Sequence, residues 1–347
     1  MYRKLYKSLL VPIVIVIILF VLIIRAFVLI RFGKIPTERF GHLAANIEIY
    51  AGEKKLSNES SNQKTYDIFC FVGKFGNKKL MELISKQYFI FPEIIIDTVI
   101  YLLLKLSLDK HLVPTYSYGY DLYNLIYTNN ISLKFSKKDI LKGESILEKI
   151  NISKNDKIVT FFIRDNTYNS IIFNENNNYH DYRDCNIEDY QSTANYLASQ
   201  GYKIIRMGRH TKQKILVDNK IFDYSFSNIK SDFLDLFISS KANFFLTTNT
   251  GMETFSTHVC KKTGVFSNFL PYVNLNFYKW APYSILLPKK IAKNGQLLSL
   301  EEIFSSSLCG YINTEDYINE GLEIIDNSPD EILEATKEFI EYQNNKL

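Results

Sequence analysis

The chain has 347 residues, 46% of them apolar and 14% aromatic, enough for two domains or one large α/β domain with an ample core. Its formal charge is +4 and spread along the sequence, so no basic face points to nucleic acid as a partner. The four cysteines, Cys70, Cys185, Cys260 and Cys309, form no C-x-x-C pair, which leaves a zinc site or redox motif without support; Cys70 and Cys260 are expected as small buried thiols, consistent with a reducing compartment.

Leu9–Ile24 is unbroken apolar sequence, preceded by Arg3, Lys4 and Lys7 and followed by Arg25. As a helix it covers roughly 24 Å, short of the ~30 Å hydrocarbon core of a bilayer. Continuing through Ala26–Ile30 would complete a span, with Arg25 snorkelling to the interface. A competing reading splits the run, with Phe27–Phe32 as the first strand of the folded domain. No small-residue cleavage site follows, and basic residues flank both ends, so orientation stays open. Membrane attachment is expected, as a span or as a shallow insertion.

Further along, Pro36-Thr37 reads as a turn, Gly41-His42 as a tight loop, Leu43–Tyr50 as a helix and Lys54–Lys64 as an exposed loop. Tyr66–Gly73 reads as a buried strand, Asn77–Ser85 as a helix, Tyr88–Phe91 as a strand and Glu93–Leu106 as a helix. Residues 110–135 carry no clear pattern, and Ser136 can cap a helix running to Ile150. Strands are then expected at Lys157–Ile163, Tyr202–Met207, Ile221–Tyr224, Asn243–Leu246 and Gly264–Phe266. Helices are expected at Ile187–Gln200, Ser231–Ser240, Gly251–Val259, Ser299–Ser306 and Ser328–Asn344. The alternation argues for doubly wound parallel sheets. The predicted fold is α/β, two Rossmann-like domains at residues 26–135 and 136–347 after a membrane-anchoring segment at 1–25.

In open α/β sheets ligands bind beyond the carboxyl ends of strands, and three such ends carry unusual residues. They are Arg164-Asp165, the stretch from Arg206 through Gly208 to Arg209, and the loop Thr247-Thr248-Asn249-Thr250-Gly251-Met252-Glu253. Arg183 and Asp184 precede the second of these. An arginine at a buried strand end is costly unless an anion meets it, so these arginines suggest an anion crevice; an internal Arg–Asp network is the alternative. The Thr-rich loop opening a helix suits a phosphate or diphosphate, although such turns also cap helices with no ligand. His42 could be a general base or a simple helix-start residue, and His180 could help close the site. No D-x-D occurs, which argues for a metal-free site in which arginines neutralise the leaving group. Neither G-x-G-x-x-G nor a P-loop is present.

Six segments, PTERFGHLAANIEIY, FFIRDNTY, YHDYRDCNIEDY, GYKIIRMGR, SDFLDLF and TTNTGMET, occur in the order found in a group of bacterial glycosyltransferases encoded with surface-polysaccharide genes, and the chain resembles that group over most of residues 30–270. The resemblance implies a GT-B-like fold, with an acceptor domain followed by a nucleotide-sugar donor domain. Carried over, it implies that Arg164, Asp165, Arg183, Asp184, Arg206, Gly208, Thr250 and Gly251 line the donor site; the strand-end reading adds Arg209, Thr248 and Glu253 to the donor-binding set. Gly41 and His42 would face them from the first domain, with His42 or Asp165 as base. The leading expectation is a nucleotide-sugar donor and, from the basic, apolar N-terminus, a lipid-linked or surface-glycan acceptor, with no cofactor and residence at the bacterial inner membrane with the soluble domains on the cytoplasmic side. A non-catalytic assembly protein with a degenerate sugar-nucleotide fold is the competing reading. A transferase of pyruvyl or phosphoryl groups is a third.

Overall fold

The computed structural model describes residues 2–60, 63–74, 76–114, 121, 125–128, 133–173, 178–273 and 281–345. The chain divides into two compact units, Met1–Lys134 and Phe135–Leu347.

In the first unit, helix α1 (Tyr2–Ile24) leads into strand β1 (Val28–Pro36), helix α2 (Phe40–Ser60) and strand β2 (Lys64–Val72). Helix α3 (Lys78–Ser85), strand β3 (Phe89–Ile90), helix α4 (Glu93–Lys105) and a short helix α5 (Leu125–Thr128) complete it. The strands form one parallel sheet in the order β1-β2-β3. The split of the N-terminal apolar run into a helix and a first strand is the arrangement found.

The spanning alternative is not carried forward: among the described residues no helix is long and apolar enough to cross a membrane. The side chains of Arg3, Lys4, Lys7 and Leu9 lie outside the described residues. What α1 does is pack: Val14, Ile18 and Val21, spaced along one face, bury against Ile96, Val99 and Leu103 of α4 and against Phe32 and Cys70 of the sheet.

Two further expectations are corrected. Gly41 and His42 lie in the first turns of α2, not in a tight loop, and Lys54–Ser60 continues that helix; residues 61 and 62 lie outside the described residues. The cause is Asp67 of β2, buried beneath the helix. Arg31 of β1 grips it with two hydrogen bonds of 2.7 and 2.9 Å, Tyr50 donates to it, and Lys54 pairs with it at 3.0 Å. Tyr50 and Lys54 reach one carboxylate only if they stand one helical turn apart, so the polar stretch after Tyr50 stays helical. Burial works against the Asp67 charge, but the bonds from Arg31 and Tyr50 outweigh it and hold the carboxyl below its ordinary range.

The second unit opens with helix α6 (Lys137–Glu148), begun by a capping box between Ser136 and Asp139. Then come β4 (Lys157–Phe162), α7 (Thr167–Phe173), α8 (Gln191–Ser199), β5 (Tyr202–Arg206), β6 (Ile221–Asp223), α9 (Asp232–Lys241), β7 (Phe244–Thr247) and β8 (Gly264–Phe269). The chain closes with β9 (Ile285–Pro288), β10 (Lys290–Lys293), β11 (Gln296–Leu297), α10 (Leu300–Ser305), α11 (Thr314–Asn319), β12 (Leu322–Ile325) and α12 (Pro329–Asn344). Six parallel strands form one sheet in the order β6-β5-β4-β7-β8-β9, and β11-β10-β12 form a small antiparallel sheet that the sequence reading did not foresee. Cores cover both faces of the large sheet. Tyr190, Leu197 and Phe339 pack on one, and Leu234, Phe237 and Phe245 on the other. Together the two units form a mixed α/β protein built on parallel sheets, consistent with a GT-B-like fold.

The predicted helix Gly251–Val259 is also revised. Gly251 and Met252 are bends, and the helical segment has π geometry over Phe255–Val259. The helix therefore starts at Glu253, two residues later than expected, and Gly251 lies in the turn before it.

Gly143 in α6 lies directly against α9: a Cβ there would lie 2.3 Å from the Phe237 ring. Replacing a mid-helix glycine by alanine ordinarily stabilises by ~1 kcal/mol. Here overpacking against the ring costs about 1–3 kcal/mol and wins, so Gly143→Ala is expected to lower the urea midpoint. A raised midpoint would show that the ring yields freely.

Candidate functional site

The large sheet begins in its middle. From β4 the chain moves outward through β5 and β6, then returns to the other side of β4 with β7 and runs out through β8 and β9. The order thus reverses between β4 and β7, and in such sheets the crevice beyond the carboxyl ends at that reversal is where ligands sit. The two ends are stitched together. The Thr248 amide donates to the Phe162 carbonyl at 3.2 Å, the Thr247 hydroxyl to the same carbonyl at 3.3 Å, and the Arg164 amide to Thr248 Oγ1 at 2.9 Å.

On this base stand two guanidinium groups. Arg164 Nε donates to Asp184 at 3.0 Å, while its Nη2 is buried with no hydrogen-bond partner. Arg183 donates from Nη2 to the Asn249 carbonyl, and its Nε is buried without a partner too. Burial and then the like charge of Arg164 push the Arg183 guanidinium down from its ordinary value, so the two cations feel one another. Two buried cationic N–H groups without acceptors are costly.

Acids temper the charge from behind. Burial raises the Asp184 carboxyl to about 6, with Arg164 opposing the shift and Asp181 reinforcing it. Glu253 is buried, accepts from the Thr250 hydroxyl at 2.7 Å, and is pushed by burial up to about 7. Asn249 takes a positive φ of 57° and ties its side chain to the Leu270 carbonyl at 3.2 Å. That turn presents its backbone carbonyl to Arg183, and Thr250 Oγ1 accepts from the Met252 amide at 3.2 Å.

The crevice therefore gathers Arg164, Arg183, Asp184, Thr248, Thr250 and Glu253, with Gly251 an exposed bend at its edge. The arginines after β5 are held mainly by other partners, although Arg206 Nε too is buried without a hydrogen-bond partner. Arg206 is 1% exposed and donates to the Gln213 carbonyl at 2.6 Å, Ser225 at 2.9 Å and Asp223 at 3.3 Å. Arg209 is held by Asp235 at 2.8 Å and by Asp232. Both make internal networks, though with Asp223, Asp235 and Asp232 instead of the Asp184 that the sequence alternative named. Gly208 lets the chain turn between them. Its φ of 145° suits glycine, and a Cβ would lie 2.9 Å from Thr211 Cγ2.

Asp165 has both oxygens engaged, by the Thr167 amide at 3.0 Å and the Lys212 amide at 2.9 Å. It anchors the loop after β5. His180 sits edge-on to Tyr182, with ring centroids 5.8 Å apart. Gly41 and His42 belong to the first unit, where burial and then Arg39 lower the His42 pKa from 6.5. Sequence reasoning missed Lys289, which is buried and donates to the Asp184 carbonyl at 2.7 Å while pairing with Asp326 at 2.7 Å. Nothing in its Lys-Lys context separates it from a surface lysine. Among the described residues no cluster of three or more His, Cys, Asp and Glu side chains could hold a metal ion.

Two outcomes follow from these contacts. Arg206→Ala strips one partner from a buried pair and is expected to cost ~3–5 kcal/mol of unfolding free energy in urea titration. A loss below ~1 kcal/mol would remove Arg206 from the scaffold. Because burial raises the folded pKa of Glu253 above its unfolded value, its protonated form favours the fold. That contribution is complete below about pH 4.3 and is lost as pH rises through about 7. The stability difference between the wild type and Glu253→Gln should fall across that window and stay flat above it. A difference independent of pH would mean an ordinary, ionised Glu253.

No protein-family profile matches the chain, and no curated protein matches it. Among solved structures it is similar to the glycosyl transferase family 9 protein from Veillonella parvula DSM 2008, with a TM-score of 0.51 at 9% identity, covering 90% of this chain and 98% of that one. At that identity the likeness is one of fold: the chain shares the α/β architecture of a glycosyltransferase along nearly its whole length.

Proposed function

We propose that the chain is a glycosyltransferase that takes a nucleotide-sugar donor in the second unit and passes the sugar to a lipid-linked surface glycan at the bacterial inner membrane, with its soluble units on the cytoplasmic side. The observation carrying this reading is the pair of buried, unsatisfied guanidinium N–H groups, Arg164 Nη2 and Arg183 Nε, at the sheet's reversal point. A donor diphosphate supplies the acceptors both groups lack.

In the reaction the acceptor hydroxyl oxygen bonds to the anomeric carbon, and the bond from that carbon to the diphosphate breaks. The electron pair leaves with the nucleoside diphosphate, whose growing charge Arg164 and Arg183 neutralise without any metal being required. Thr250 and the irregular turn through Gly251 flank the phosphates. The hydroxyl proton passes to a base. Asp165 is poorly suited, since both its oxygens already accept backbone N–H groups. His42 suits the task better: its lowered pKa keeps the ring neutral near pH 7 and able to accept a proton.

The test is a panel of UDP-, GDP-, ADP- and CMP-sugars read by thermal shift, since a ligand binding only the native state raises the melting temperature. Arg183→Ala is expected to weaken donor binding by ~1.5–3 kcal/mol. His42→Ala should leave donor affinity intact and lower kcat by ~10²–10⁴-fold. The wild-type rate should fall on the acid side with an apparent pKa below 6.5. Absence of binding to any nucleotide sugar would leave the non-catalytic assembly protein as the better reading.

A further inference from the structure

We infer that the outer face of α1, with the exposed residues of α4 beside it, is an interfacial docking surface for an anionic phospholipid bilayer; this rests on the proposed membrane attachment and names its surface and its lipid. Over Leu10–Ile24 helix α1 is apolar on every side, which in a folded protein calls for cover all round. The unit itself covers one face only, through Val14, Ile18 and Val21. The opposite face leaves Val16, Leu19, Phe20 and Ile23 exposed by 55–75%, and Phe27 follows at 81%. On α4, packed against α1, Tyr101 and Leu104 are likewise exposed, as is Leu106 just after it. An apolar patch of this extent on one side of a soluble unit marks a surface that is covered in use.

Charge decides what covers it. No acidic residue occurs before Glu38, whereas Arg3, Lys4, Lys7, Arg25, Arg31 and Lys34 fall in that stretch. Arg31 and Lys34 are consumed by Asp67 and Asp97 inside the unit. Arg3, Lys4 and Lys7 precede the apolar stretch of α1, and exposed Arg25 follows it. On α4, Lys105 lies over Tyr101, and Lys110 and Asp109 follow. Basic residues bracketing an apolar, aromatic-bearing face match the headgroup and acyl layers of an anionic leaflet. A second copy of the same face would set like charges against each other. A spanning helix would have to strip Val14, Ile18 and Val21 from α4. The bilayer is the occupant that satisfies both the apolar face and its basic rim.

The experiment is flotation of the purified full chain with vesicles of phosphatidylglycerol and phosphatidylethanolamine, beside vesicles of phosphatidylcholine alone, with no nucleotide sugar present. Flotation with the anionic vesicles, its loss at high salt, and release by an alkaline carbonate wash are the expected results. Val16→Glu/Phe20→Glu should reduce vesicle binding about tenfold or more at unchanged circular dichroism. Should that pair unfold, Ile23→Lys at the most exposed α1 position serves instead. Equal binding to neutral vesicles, retention after carbonate, or failure to float would overturn the inference. So would a vesicle-free dimer dissolved by the same substitutions. Donor binding is read separately, so loss of one property leaves the other standing.

Discussion

Two guanidinium groups held beside each other at the carboxyl end of a sheet are the constraint around which the second unit is arranged. Arg164 and Arg183 repel, and burial removes the water that would screen them. The chain answers with Asp184 against one, the Asn249 carbonyl against the other, and the Glu253 carboxyl nearby. It stops short of full compensation, since each arginine keeps one buried N–H without an acceptor. Arg206 and Arg209 are held by their own carboxylates, although Arg206 Nε is likewise buried without a hydrogen-bond partner. What sets Arg164 and Arg183 apart is their placement together at the sheet's reversal.

Geometry explains why the incomplete pair falls where it does. Only at the sheet's reversal do two neighbouring strands send their following loops in opposite directions, opening a crevice. The strand ends there are tied by Thr247, Thr248 and the Phe162 carbonyl, so the crevice floor is rigid before any ligand arrives. Asp165 and Lys289 extend that rigidity outward, one anchoring the loop after β5 and the other holding the Asp184 backbone.

Much of this was legible in the residues. Ser136, Ser231, Ser299 and Ser328 each cap the helix expected after them, because a serine followed by acids satisfies orphan amides by purely local chemistry. The central strands of the second unit were equally plain, being largely apolar runs buried on both sides. What stayed hidden depends on partners distant in sequence. Arg206 looks like an anion ligand until the fold sets Asp223 beside it, and Asp67 holds α2 helical through residues read as loop. The π turn after Glu253 has no local signature, since Thr-Phe-Ser-Thr-His would equally suit an ordinary helix.

The packing of α1 bears on how the first unit can be handled and how it can change. A leading apolar run with basic flanks invites treatment as a detachable tether, to be trimmed for solubility or exchanged for another anchor. In this chain Val14, Ile18 and Val21 are part of the same apolar cluster as Phe32 and Val99. Trimming would uncover Ile96, Val99 and Leu103 and open a cavity at the sheet's flank. The proposed lipid-facing surface and the core share one element, so substitutions on the outer face must keep the inward stripe intact.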